Sequence, residues 1–339
     1  MYTQSVKTEF RRIRDFGDVL GISFGFIREN FKPLTLSVLF IGGPFMLVGS
    51  AVMTLMLVRT STISTTPQGS SSVIADFGLS YFVNIMSLLA GAVMVVGVVN
   101  SYIKLYMASG DEKPKIQVNE IWQEVKKDFF WLAGRFLLLT LLVFVYMAAV
   151  GGLAYLVFNS GIQSTGLKVF LGITGFFGFL ALTMYLAVPM YGLFATQSYF
   201  ERTGFAASIS RSFYLVKHQW WQSFAIIFVG GLVQGIVASM LYMPFYFILI
   251  IGGLFSTMQP GGGAPNTSLM TFAGVGMSIG LALGYSLSYI IHFVIQAFQY
   301  HNLLERKESV GLLDKIQSLG TVQASSAGAA DFYGEEEKY

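Results

Sequence analysis

The chain has 339 residues, 54% of them hydrophobic and only 12% charged, with a mean hydropathy of +0.63 and a net charge of +3. A soluble domain carries about 25% charged residues, so a chain this poor in charge must turn much of its surface to lipid, and its small net charge predicts no nucleic-acid partner. The absence of cysteine excludes disulfides, thiolate nucleophiles and cysteine-held metals, and three scattered histidines predict neither a metal site nor a cofactor.

Residues 1–19 carry Lys7, Arg11, Arg12 and Arg14 and read as a basic arm. No cleavable signal peptide is expected, because the first long apolar segment begins only after about thirty polar or amphipathic residues. The stretch 20–34, LGISFGFIRENFKPL, follows. Leu20, Phe24, Ile27 and Phe31 are spaced 4, 3 and 4, with Arg28 directly after Ile27. That spacing puts four apolar side chains on one helical face, with the cation on its flank. The pattern returns in Val118, Trp122, Val125 and Phe129 with Lys126, and again in Ile209, Phe213, Val216 and Trp220 with Lys217. Each copy reads as a short amphipathic helix lying on the membrane surface and feeding a transmembrane hairpin.

Six segments reach the length of about 20 apolar residues needed to span a bilayer. They lie near 34–58, 79–106, 130–158, 167–199, 222–255 and 270–299. Pro44, Pro189 and Pro244 are the expected kink sites. The connections 59–78, 159–166 and 256–269 are rich in Ser, Thr, Gly and Pro and nearly uncharged. The others hold the charge: nineteen of the 21 Lys and Arg fall on the N-terminal side of this layout, and only Arg59 and Lys168 on the other. The positive-inside rule then predicts cytoplasmic N and C termini.

The even-numbered spans end in Asn100-Ser101-Tyr102, Gln197-Ser198-Tyr199 and Phe298-Gln299-Tyr300, the tyrosines 97 and 101 residues apart. The fold class expected is therefore an all-α polytopic membrane protein, with six transmembrane helices in three parallel repeats near 20–106, 118–199 and 209–299. Beyond 300, residues 301–320 read as a fourth amphipathic helix carrying Leu312, Ile316 and Leu319, with no span after it. The acidic tail 321–339 has a disordered composition.

Few residues suggest chemistry. His292 is the one histidine inside an expected span, and Tyr285, Ser288, His292, Gln296 and Gln299 form a polar stripe on the sixth. Such a stripe faces the bundle interior, where it either hydrogen-bonds another helix or lines a path; His292 is expected to be held by another helix or a water. Tyr185, Pro189, Gly192, Thr196 and Tyr199 make a second stripe, either packed or lining a cavity that Pro189 opens. Arg135, one turn inside the third span, is expected to snorkel to the membrane surface. The charges of 111–128 mix in sign and read as a solvated face. Gly261-Gly262-Gly263 lacks the Gly-Lys-Ser/Thr of a phosphate loop, and no zinc-protease or nucleophile-elbow pattern occurs.

Three parallel units of about a hundred residues resemble the mitochondrial carrier architecture, but the Pro-x-Asp/Glu-x-x-Lys/Arg signature is missing at Pro44 and at Pro244. The run Phe213-Tyr-Leu-Val-Lys-His-Gln-Trp-Trp is closer to the membrane domain attached to some glycerophosphodiester phosphodiesterases. The stretch from Gln299 to Leu313 is similar to uncharacterised membrane proteins of the Bacteroidetes type. The resemblance implies a multi-pass protein of the bacterial cytoplasmic (inner) membrane and no reaction. A non-enzymatic scaffold is expected, its partners the lipid bilayer and a membrane protein on the cytoplasmic side; a small-solute transporter or channel is the alternative.

Overall fold

A computed structural model describes residues 7–63, 70–110, 114–161, 164–258, 267–313 and 316. The tail 321–339 and parts of the loops 59–78, 159–166 and 256–269 lie outside the described residues. Among those described there is no strand, and the chain is an all-α polytopic membrane protein. Its helices are α1 (Phe16–Glu29), α2 (Phe31–Ile41), α3 (Gly43–Ile63), α4 (Ser70–Ala108) and α5 (Val118–Phe158). There follow α6 (Thr165–Ala187), a π-helical turn (Val188–Leu193), α7 (Phe194–Glu201), α8 (Phe205–Val216), α9 (Trp220–Met258) and α10 (Thr267–Glu308). Five are long and apolar enough to cross a membrane: α4, α5, α6 with its continuation through α7, α9 and α10. A bent pair, α2 and α3, meeting at 57°, is long and apolar enough to make a sixth when taken as one span.

Backbone chemistry explains the breaks. Pro33 has no N–H for the Glu29 carbonyl, so α1 stops at Glu29 and α2 starts afresh at Phe31. The α2–α3 bend falls at Gly42, two residues before Pro44. A Cβ on Gly42 would lie 3.0 Å from Val95 Cγ2, so glycine also lets α4 approach there. Pro189 opens the π-helical turn, closed by Phe194 N–H donating to the Pro189 carbonyl. α9 runs across Pro244 without a break.

The second surface helix is not a separate element. Residues 118–129 form the first turns of α5, which continues unbroken to Phe158, because neither proline nor glycine interrupts Lys126–Phe129. The C-terminal boundary also differs from expectation. Residues 301–308 belong to α10, and the chain turns at Ser309, whose φ is 50°. Leu303 is fully buried there against α7 and α8, which extends the helix past the membrane. A short helical piece follows over 310–313.

The basic arm is not free. Phe10 is buried and stacks on Phe298 of α10, with ring centroids 4.3 Å apart, and meets Phe26 and Tyr106 edge-on. Arg14 N–H donates to Asn302 Oδ1 at 2.8 Å, and Lys7 Nζ reaches the carbonyls of Met107 and Ser109. Burial, with the neighbouring Arg12, holds the Arg14 pKa below the usual guanidinium value.

The core sits at the charged end of the bundle. Its largest members are Phe26, Leu34, Tyr102, Ile103, Ile121, Phe194, Phe298 and Tyr300. Away from it, α9 and α10 meet through glycine. A Cβ on Gly280 would stand 2.6 Å from the Leu241 carbonyl oxygen and one on Gly284 2.7 Å from that of Ala238. Small residues at a four-residue interval bring two backbones together, and van der Waals packing then holds the pair in lipid. Half of the apolar stretch of α4 and 61% of that of α10 are buried inside the protein, against none for α5 or α6. The second hairpin therefore stands apart from the other four spanning segments over its outer length.

Candidate functional site

The charged end holds a hydrogen-bonded network that crosses four elements. It begins at Arg135, which does not snorkel. This side chain is 4% exposed and is enclosed by α5, α7 and α8. Its Nη1 donates to Ser198 Oγ at 3.2 Å and to Ser208 Oγ at 2.5 Å, and its guanidinium lies 4.0 Å from the Trp131 ring centroid. The fold-back of α8 accounts for the difference, since it brings Ser208 over the arginine before the side chain can reach water. From Ser208 the network passes to Thr203 at 3.0 Å, to Gln197 at 3.3 Å and to Glu201 at 3.2 Å. Glu201 accepts from Arg211 Nε at 2.9 Å and from the Tyr300 hydroxyl at 3.0 Å. Arg211 continues to Glu308 at 2.5 Å. The bond to Glu308, with the help of Glu201 and against burial, pushes the Arg211 pKa up, so this cation stays charged at any physiological pH.

A second ion pair closes the network's flank. Asp128 is 1% exposed and is paired with Arg202. Arg202 ends α7 in the left-handed region, at φ 50°, where a side chain other than glycine is uncommon. The reach to Asp128 is what that conformation gains. The mixed-sign run that reads as a solvated face thus sends one carboxylate inward.

The three repeated tyrosines are all buried and all bonded. Tyr102 donates to Asn30 Oδ1 at 2.8 Å, at the break between α1 and α2. Tyr199 meets Ser101 at 2.9 Å, and Tyr300 meets Glu201. Two of these bonds tie the charged end of one spanning helix to that of another, α4 to α7 and α7 to α10.

The polar stripe of α10 is also brought together. Ser288, His292, Gln296 and Gln299 are buried, while Tyr285 is half-buried against Tyr242 and Tyr289. His292 is 1% exposed. Its Nε2 lies 2.5 Å from Gln296 Nε2, so the imidazole accepts from the amide. That partner is on its own helix. Contact with another helix comes through the Tyr191 ring, 4.8 Å from the imidazole, and through Gln296 donating to the Tyr191 carbonyl at 3.1 Å. Gln299 donates to Ser223 of α9 at 2.9 Å.

The interfacial triplets share a register with an offset. Counting back from the cation, positions nine, five, two and one before Arg28 are buried: Val19, Ser23, Phe26 and Ile27. The same positions before Lys217 are Ser208, Ser212, Leu215 and Val216, again buried. In α5 only Ile121 and Val125 follow suit. The face read from the 4-3-4 spacing is therefore buried only at its third member, Ile27, Val125 and Val216, and its other members lie at the edge. Phe24 and Trp122 are 38% and 37% exposed, Phe31 is exposed, and Phe129 and Phe213 are half-buried. Arg28, Lys126 and Lys217 are exposed, and Lys126 lies 5.5 Å from the Trp122 ring. Trp220 turns inward instead. It stacks on Phe224 and Tyr185, and its Nε1 donates to the Tyr185 carbonyl at 3.3 Å. That carbonyl is the one Pro189 cannot serve. So Tyr185 and Pro189 of the second stripe are joined to Trp220, while Thr196 stays buried with its hydroxyl oxygen unpartnered.

Asn84 escaped the sequence reading. It is buried in α4 and donates to the Gly49 carbonyl at 2.8 Å, tying α4 to α3. A lone asparagine in an apolar run was its only signal. Among the described residues no cluster of His, Cys, Asp and Glu could hold a metal ion. Comparison with known proteins finds no matching family model, no matching curated protein and no matching solved structure.

Proposed function

We propose that the protein is a non-catalytic membrane module that assembles partner proteins or lipids at its charged end and along its second hairpin. The observation that carries this reading is the hairpin itself: α6 has no buried residue, and Phe144, Val145, Phe170, Phe176 and Phe177 all point outward. A hairpin whose outer length adds no buried residue to its own bundle is available to a neighbour in the bilayer. The location proposed is the bacterial inner membrane with both termini in the cytoplasm, supported by nineteen of 21 cations on one side and by the motif shared with phosphodiesterase membrane domains. Three parallel repeats are part of the proposal; the burial register common to α1 and α8 supports them, and the continuous α5 is the degenerate copy.

The test is site-specific photocrosslinking in cells, with the reactive residue at Phe176 or, as control, at Ala282, buried in α10. The assembly reading expects one discrete protein adduct at Phe176 and none at Ala282. Adducts at Phe176 spread over bulk lipid, with no discrete protein and no single lipid species among them, would contradict it. The alternative, a small-solute transporter, is favoured by one feature: the π-helical turn, a form that recurs at functional sites, sits against His292 and Gln296. On that reading His292→Gln leaves the protein abundant and abolishes uptake; on the assembly reading it changes neither.

A further inference from the structure

Arg135 is a buried cation without a counter-ion. Among the described residues no carboxylate pairs with it, since Asp128 is taken by Arg202 and Glu201 by Arg211. Its protein partners are two serine hydroxyls and an aromatic face, and its Nε is buried with no hydrogen-bond partner. Burying an ion is costly unless it is paired and its hydrogen bonds are met. A guanidinium has five donors arranged for an oxyanion, and here at least one is unused.

The surroundings suit the missing charge. Ser198 accepts from Arg135 and keeps its own hydroxyl proton to give. Ser208 sits in the first turn of α8, whose N-cap is Gly204 and which no side chain caps. The free backbone N–H groups and the positive dipole end of that helix face toward negative charge. The approach is open: Gly204, Ala206 and Ala207 are exposed, and Trp131, the cover over the guanidinium, is exposed on its far side. Next to it Gly134 has nothing within 4 Å of where a Cβ would be.

We propose that Arg135, Ser198, Ser208 and the first turn of α8 form a binding site for one phosphate-class oxyanion, carried by a phospholipid head group or free in solution. Trp131 swings aside to admit it at the level where α8 meets the bundle. This assignment does not depend on the assembly reading.

The experiment uses the full chain in two arms. In neutral detergent, the thermal midpoint is followed with inorganic phosphate against chloride at equal ionic strength. In nanodiscs, native mass spectrometry compares retained phosphatidylglycerol with phosphatidylcholine. A free-anion site raises the midpoint in phosphate; a head-group site retains one phosphatidylglycerol and shows no phosphate shift. Arg135→Gln abolishes whichever response the wild type shows. Should that variant fail to fold, Ser208→Ala keeps the arginine and weakens binding roughly tenfold, the worth of one hydrogen bond to a charged group. A wild type that responds in neither arm, or an Arg135→Gln or Ser208→Ala protein that responds as the wild type does, overturns the proposal.

Discussion

The α9–α10 pair and the α5–α6 hairpin have nearly the same composition and opposite fates. Both are long, apolar and glycine-containing. In α10 the glycines at 276, 280 and 284 repeat every four residues; Gly280 and Gly284 meet the α9 backbone directly, and Gly276 meets the Phe245 ring. In α5 and α6, Gly151, Gly152, Gly175 and Gly178 have nothing within 4 Å of a Cβ. The joined pair also carries polar ties, Gln299 to Ser223 among them, whereas across α5 and α6 the described residues make two, Tyr146 to Thr183 at 2.9 Å and Lys168 Nζ to the Phe158 carbonyl at 3.2 Å. Hydrophobicity therefore puts a helix into the membrane, and close backbone approach with a few polar bonds decides whether it joins the bundle.

Substitution at the glycines breaks this comparison most directly. Gly280→Ile drives a branched side chain into the Leu241 carbonyl and should cost about 3 kcal/mol or more, the upper range for overpacking a rigid contact. Gly175→Ile should cost no more than about 0.5 kcal/mol. Reversible unfolding in mixed micelles measures both, and equal costs would erase the distinction. Arg202→Ala comes next. It strips the buried Asp128 of its ion-pair partner, and because Arg202 is itself about half exposed the expected loss is roughly 2 kcal/mol, below the value for a fully buried pair. Asp128→Asn in that background should restore much of it. Trp220→Phe is smaller, about 1 kcal/mol for the lost bond to the Tyr185 carbonyl. Adding Pro189→Ala supplies that carbonyl with an N–H of its own helix, so the tryptophan should then matter less; an undiminished cost would reject the link between the two.

Length and hydropathy made the six crossings legible, because a bilayer imposes a minimum apolar run. The repeat spacing located the buried tyrosines and the cation register. It did not say which side of each surface helix is buried, since an amphipathic helix at a lipid interface has apolar neighbours on two sides and periodicity alone does not rank them. Long-range contacts were not legible. That Phe10 stacks on Phe298, that α8 folds over Arg135, and that Asp128 finds Arg202 each depend on partners 70 or more residues away in sequence. A one-turn-deep arginine reads locally as a snorkelling one, and only the return of Ser198 and Ser208 changes its fate. The surface helix expected at 118–129 failed for a local reason: a shared apolar spacing does not supply the Pro33 or the left-handed His218 that separates the other two copies from their spans.

The central claim is that the second hairpin contributes no buried face to the bundle over its outer length, residues 136–158 and 165–187. The native chain has no cysteine, so each introduced one is the sole site for a spin label. Oxygen accessibility scanned along 168–187 of α6 and along 280–299 of α10, in the purified protein in lipid nanodiscs, compares the two directly. Uniformly high accessibility along α6 is predicted, with alternating accessibility over 280–291 of α10 and low accessibility throughout 292–299. An α6 scan that oscillates with minima as deep as those of α10 would contradict the account.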